Sequence, residues 1–259
     1  MNKFTKTALL VAGAALVTQA AQAYTANDLI LGLRTDTASD DYVINLGNAA
    51  SSVGVGGSSV MNLSSMIDIT TINSLFGGLN GVQMGVVGGN PAAGSSKELY
   101  VTSLRLSLGT PSVAGSTTPA TVNASPANSG ILDVGGVANN YAPSAGSSAT
   151  PARTDQYSFS TLVSPGTGFS GQFINDTGVD PLGTASGNVL YEDLYQETFS
   201  GATAQGFQYM GYFTLDTSGA SAVLSFTPNA VPEPATFSLM GGAALLLLSL
   251  RRKFSRQQL

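Results

Sequence analysis

Short alternating apolar stretches, each ended within a few positions by Gly, Asn, Asp or Ser, are what most limits the folds open to this chain. Leu29, Leu31 and Leu33 alternate in one stretch, and Tyr42, Ile44 and Leu46 in the next. A repeat of two places such residues on one face of a strand. Residues 35–40 between them are turn-forming, so the pair predicts a hairpin. Further strands are expected at 82–87, 98–106, 169–174, 189–195, 207–215 and 222–226. In the fifth of these, Tyr209, Phe213 and Leu215 would share a face with Gly211. Eight short strands imply an all-β sandwich or barrel, and the expected architecture is a β-sandwich-like ectodomain with one or two short helices. One helix is legible as a lid on the sheet: Ile69, Ile72, Leu75 and Phe76 recur at helical spacing. Asp68 can cap its start, and Gly77 suits the left-handed position after its last turn.

Composition removes most familiar chemistry. The 259 residues contain no His, Cys or Trp. That excludes a Ser-His-Asp triad, a His general base, thiol nucleophiles, disulfides and Cys/His metal sites. Only 10% of residues are charged, far below the roughly 25% of an ordinary soluble domain. The 31 glycines are well above the usual ~7%. Both fit an exported, loop-rich β-protein. From 107 to 152 the chain turns to Ser, Thr, Ala, Gly and Pro, with five of the eleven prolines and Asp133 as its single charge. Too little apolar surface offsets the ordering entropy there, so a flexible insertion of long loops is expected, with Ile131-Leu132 pairing locally. An O-glycosylated segment is the alternative.

The two ends carry the clearest signals. In residues 1–23, Lys3 and Lys6 precede an apolar run that closes on Ala21-Gln22-Ala23, the small-x-small pattern of signal peptidase. The mature chain is expected to begin at Tyr24 after passage through the secretion translocon. At the other end, residues 235–250 lack charge and are followed by Arg251, Arg252, Lys253 and Arg256. Sixteen helical residues span about 24 Å, short of the ~30 Å hydrocarbon core, so the expected transmembrane helix is a marginal anchor. The basic residues should stay cytoplasmic, leaving the ectodomain, residues 24–230, outside the inner membrane. Just before the apolar stretch stand Pro232, Glu233 and Pro234, and prolines flanking one residue force an extended segment open to a protease.

This tripartite tail, residues 231–259, resembles the PEP-CTERM sorting signal of Gram-negative bacteria. The resemblance implies recognition by an exosortase, a membrane-embedded cysteine protease or transpeptidase. It also implies removal of the tail near the motif and delivery to the cell surface or an exopolysaccharide-rich extracellular matrix. Glu233 and its prolines would then be substrate residues. The mature region is also similar to surface proteins bearing this tail, through Asp28-Leu29-Ile30-Leu31-Gly32-Leu33-Arg34, Asp41-Tyr42-Val43-Ile44-Asn45-Leu46-Gly47, Leu99-Tyr100-Val101-Thr102 and Gly211-Tyr212-Phe213-Thr214-Leu215. That likeness implies a β-rich ectodomain and no catalytic residue.

Between the signals only Arg34, Lys97, Arg105 and Arg153 oppose fourteen carboxylates, a net charge of −10. Phosphate binding needs a basic stripe, so nucleic acid is not an expected partner. Asp176-Thr177-Gly178 looks like an aspartic-protease loop, with Asp216 its conceivable partner, but forty residues cannot hold two lobes and turn chemistry explains both. Calcium could be held by Asp36, Asp40 and Asp41, by Asp176 with Asp180, or by Glu192, Asp193 and Glu197, although no EF-hand spacing appears. Residues 54–59 imitate a dinucleotide loop without the βαβ context and are expected to be plain loop. Tyr191, Tyr195, Tyr209 and Tyr212 are the densest aromatic group and could stack on sugars, or pack in the core. The expectation is therefore a non-enzymatic structural or adhesive surface protein of biofilm or matrix, with no cofactor and no metal. A carbohydrate- or calcium-binding module is the alternative.

Overall fold

The alternating stretches pair as hairpins. β1 (Asp28–Arg34) and β2 (Tyr42–Asn48) run antiparallel, with Leu33 opposite Tyr42 and Leu31 opposite Ile44. The structure, a computed structural model, describes residues 24–91, 97–106, 113–163 and 173–229. The remaining strands are β3 (Met61–Asn62), β4 (Gln83–Asn90), β5 (Glu98–Leu104), β6 (Ser148–Ala149), β7 (Gly183–Thr184), β8 (Val189–Ser200), β9 (Thr203–Asp216) and β10 (Val223–Pro228). They join one antiparallel sheet in the order β3-β10-β9-β8-β5-β4-β1-β2-β6, with β7 beside β4. The chain is thus mostly β, as expected, and its strands share one sheet that curls.

The curl is set by one apolar face. Leu31, Leu33, Ile44, Val86, Leu194, Phe213, Leu215 and Phe226, drawn from strands between β2 and β10, belong to one buried cluster. A twisted sheet this wide buries such a face by coiling around it. The two sides are also joined directly: the Asp68 amide donates to the Tyr42 hydroxyl at 3.0 Å, while nearby Leu63 N donates to Leu224 O on β10. Helix α1 (Ile69–Phe76) adds Ile72 to the cluster. It starts and stops as its sequence requires, with Thr70 N donating to Asp68 and Gly77 at φ 69°.

The outer face of the sheet is covered by α2 (Ala124–Tyr141), α3 (Phe159–Val163) and α4 (Phe173–Thr177). Ile30, Val43, Val87, Leu99 and Val101 point to this side and pack with Ala127, Ile131, Val134 and Ala138 of α2. Hence β1 and β2 are buried on both faces. Among the described residues no helix is long and apolar enough to cross a membrane.

Three expectations are corrected. The 107–152 stretch contains an 18-residue helix rather than loops alone. Its apolar positions repeat at three and four, its Ala residues favour helix, and Pro126 falls in the first turn, where an amide has no intrahelical partner. Residues 173 and 174, expected in a strand, open α4, while 169–172 lie outside the described residues. Phe173 and Thr177 are buried one turn apart, and Thr177 Oγ1 donates to Phe173 O at 2.7 Å. In β9, Leu194 pairs with Gly211 but Tyr195 pairs with Tyr209, so Met210 is an extra residue. This bulge reverses the alternation: Met210 packs on the inner cluster with Phe213, and Tyr209 is turned to the outer face.

Candidate functional site

Of the predicted processing residues, Tyr24 is described; Ala21, Ala23, Pro232, Glu233, Pro234, Arg251, Arg252, Lys253 and Arg256 lie outside the described residues. Tyr24 leans on the outer cluster beside Gly135 of α2, and its hydroxyl donates to Gly89 O at 3.4 Å. Burial first, and Asp28 second, raise its pKa above the usual phenol value. At the other end, Asn229 N donates to Met210 O at 2.8 Å and its side-chain amide donates to Tyr209 O at 3.2 Å. The last strand is therefore fastened three residues before Pro232.

The four tyrosines do gather, on the outer face of β8 and β9. Tyr191 and Tyr212 lie 6.4 Å apart and Tyr195 and Tyr209 5.8 Å apart, both pairs tilted. Their centre is a buried ion pair between Arg105 and Asp193. The guanidinium also lies 4.5 Å from the Tyr212 ring centroid and donates to Tyr209 Oη at 3.1 Å. Asp193 Oδ2 accepts from Gly115 N, Ser116 N and Ser116 Oγ at 2.6 to 2.8 Å. Four residues further along β8, Glu197 accepts from Val122 N. Two carboxylates thus fasten residues 113–123 as a strap along the sheet and leave Tyr195 wholly buried. Tyr195 is a packing residue. Burial pushes Glu197 up to about 7, against the Val122 hydrogen bond that lowers it.

Glu192 faces the other way. It shares the inner parity of Leu190 and Leu194, and both carboxyl oxygens are buried without a hydrogen-bond partner. Burial, followed by the charges of Asp193 and Asp180, raises its pKa well above the usual value, which favours the protonated form. A side chain at Gly183 would begin 1.8 Å from Glu192 Oε1. Two consecutive carboxylates in an alternating strand require one of them to point inward, a signal present in the sequence but read there only as a calcium cluster.

Other predicted groups separate. Asp41 turns inward to accept from Ser160 N at 2.6 Å and Ser160 Oγ at 2.7 Å, Asp40 accepts from Ser39 Oγ, and Asp36 pairs with Arg34. Asp180 accepts from Leu182 N. No group of three or more acidic residues among those described is placed to hold a metal ion. Asp216 accepts from Ser218 N on an exposed turn. Asp176 lies instead beside Asp133 of α2; burial first, then Asp176's charge and hydrogen bond, push Asp133 up to about 7. Residues 54–59 form a loop in which Gly54 packs on Met61. No known protein family, curated protein or solved structure matches the chain.

Proposed function

We propose that this chain is an exported surface or matrix protein, sorted by an exosortase through a PEP-CTERM-type tail. In the mature form it is a structural or adhesive component linked to exopolysaccharide or biofilm, with a β-sandwich-like ectodomain made by one curled sheet. The observation that carries this is the order of the tail: Pro232-Glu233-Pro234, sixteen uncharged residues, then Arg251, Arg252, Lys253 and Arg256. The fold supports it, because both apolar clusters are built within residues 29–226 and cleavage near the motif leaves every described strand intact. The chain passes the translocon, loses residues 1–23 to signal peptidase, is held in the inner membrane facing the periplasm, and is then cut near Glu233.

Intact-mass measurement of protein extracted from the cell surface tests this. The expected product begins at Tyr24, ends near Pro234 and carries any group joined by transpeptidation. Surface protein that retains residues 237–259 overturns sorting in favour of permanent anchoring.

A further inference from the structure

We infer that the concavity between the β1–β2 turn and the C-terminal end of α1 is a binding site for a neutral saccharide. Its volume is about 370 Å³, within the roughly 300–1,000 Å³ of small-ligand sites. Its lining includes Thr35, Asp36 and Thr37 from the β1–β2 turn, Leu75 and Phe76 from α1, and Asn80 from the segment that follows. A pyranose has the same two-sidedness: hydroxyls that donate and accept around its edge, and a C–H face that packs on an apolar ring. Thr hydroxyls and the Asn amide both donate and accept, so they match hydroxyls without requiring charge. Leu75 and Phe76 also pack against the inner cluster, which fixes the apolar part of the lining in place.

Asp36 is oriented yet open. Its side chain is 73% exposed, and Arg34 Nη2 contacts Oδ1 at 2.9 Å. Arg34 is itself held where Nε donates to Gln83 Oε1 at 2.8 Å. Arg153 contacts the same Oδ1 at 3.8 Å and donates to the Asp36 main-chain oxygen. Both side-chain contacts fall on Oδ1, which leaves Oδ2 to accept from a ligand hydroxyl. Such pre-set acceptors lower the ordering cost of binding. Asp36 is offset locally by Arg34 and Arg153, so it is the net charge of −10 over residues 24–230 that opposes polyanions. A single carboxylate also falls short of the six to eight oxygens calcium takes.

The site rests on the proposed function only for where the saccharide is met. The protein recovered from cells, in whichever processed form, is titrated at fixed ionic strength with oligosaccharides of glucan, galactan, mannan and alginate. At least one neutral series is expected to bind in preference to alginate. Asp36→Asn and Phe76→Leu are each expected to weaken that binding by about tenfold, the loss of one charge-assisted hydrogen bond or one stacked ring, with the thermal midpoint lowered by no more than about 4 °C. Phe76→Leu keeps apolar packing, and Asp36→Asn changes an exposed group, so folding and binding are separable. The inference is overturned by unchanged binding in both variants, by loss in Tyr191→Ala and Tyr212→Ala instead, by preference for alginate, or by no binding to any neutral series. A chain that keeps residues 237–259 and binds glucan refutes the sorting proposal alone; a processed chain that binds no neutral sugar refutes this one alone.

Discussion

Glu192 reaches the inner face because β8 alternates without a break between Leu190 and Leu194, and nothing there accepts or donates to it. Its consequence is a pH dependence with a definite sign. The unfolded chain releases this proton near 4.5, whereas the folded chain holds it to higher pH. Above pH 4.5 the folded state therefore binds more protons, and stability falls as pH rises, by about 1.4 kcal/mol per pH unit for one proton, until the raised value is passed. Asp133 and Glu197, both pushed up to about 7, act in the same direction below pH 7. Urea unfolding should thus show stability declining from pH 5 to pH 7, and Glu192→Met should flatten the curve and raise stability at pH 7 by removing an unpaired buried polar group. An unchanged slope in that variant would show that Glu192 does not titrate between the two states. Gly183→Ala tests the same packing from the opposite side: its methyl meets a carboxyl oxygen fixed in the core, so a loss of about 1–3 kcal/mol is expected.

Helices α1 and α2 differ in how plainly their sequences announce them. Asp68, Gly77 and the Ile69, Ile72, Leu75, Phe76 spacing mark α1 completely, because cap, period and stop agree. In α2 the buried positions are Ala124, Ala127, Gly130, Ile131, Val134, Gly135, Val137 and Ala138; most are Ala or Gly, so their spacing of three and four gives only a weak apolar signal among Ser, Gly and Asn. Small side chains are what the site needs, since Gly130 meets Thr177 and Phe173 of α4 at close range. A contact between distant segments thus decides the element, and local composition cannot report it. Neighbouring substitutions separate helix from loop. Ile131→Ala should cost about 2–5 kcal/mol by opening the outer cluster, while Leu132→Ala, at a side chain 58% exposed, should change stability by less than about 0.5 kcal/mol. Equal small effects at both positions would restore the loop description of 107–152.

Across the whole molecule, β1, β2, β4, β5, β8, β9 and β10 are legible because their alternation sets a face to bury, whereas the short strands β3, β6 and β7, the helix at 173–177 and the sheet's curl are not. Curling depends on Tyr42 meeting the backbone of Asp68 and on β3 reaching β10, pairings between segments distant in the chain. The candidate site divides the same way: the tyrosine group shows in sequence as aromatic density, whereas the Arg105–Asp193 pair at its centre joins residues 88 apart. Closure also fixes where the chain can be cut. Phe226 packs against Phe213 with tilted rings whose centroids are 4.8 Å apart, Leu224 belongs to the inner cluster, and Asn229 fastens the end. A chain stopped after Val231 should therefore unfold at the temperature of the full-length chain and run as a single species on size exclusion. One stopped after Asp216 loses Leu224 and Phe226 from the core and bares the β9 edge, so it should aggregate. Equal stability of the two truncated chains would show that β10 does not close the fold, and a lowered midpoint after Val231 would show that the tail contributes to it.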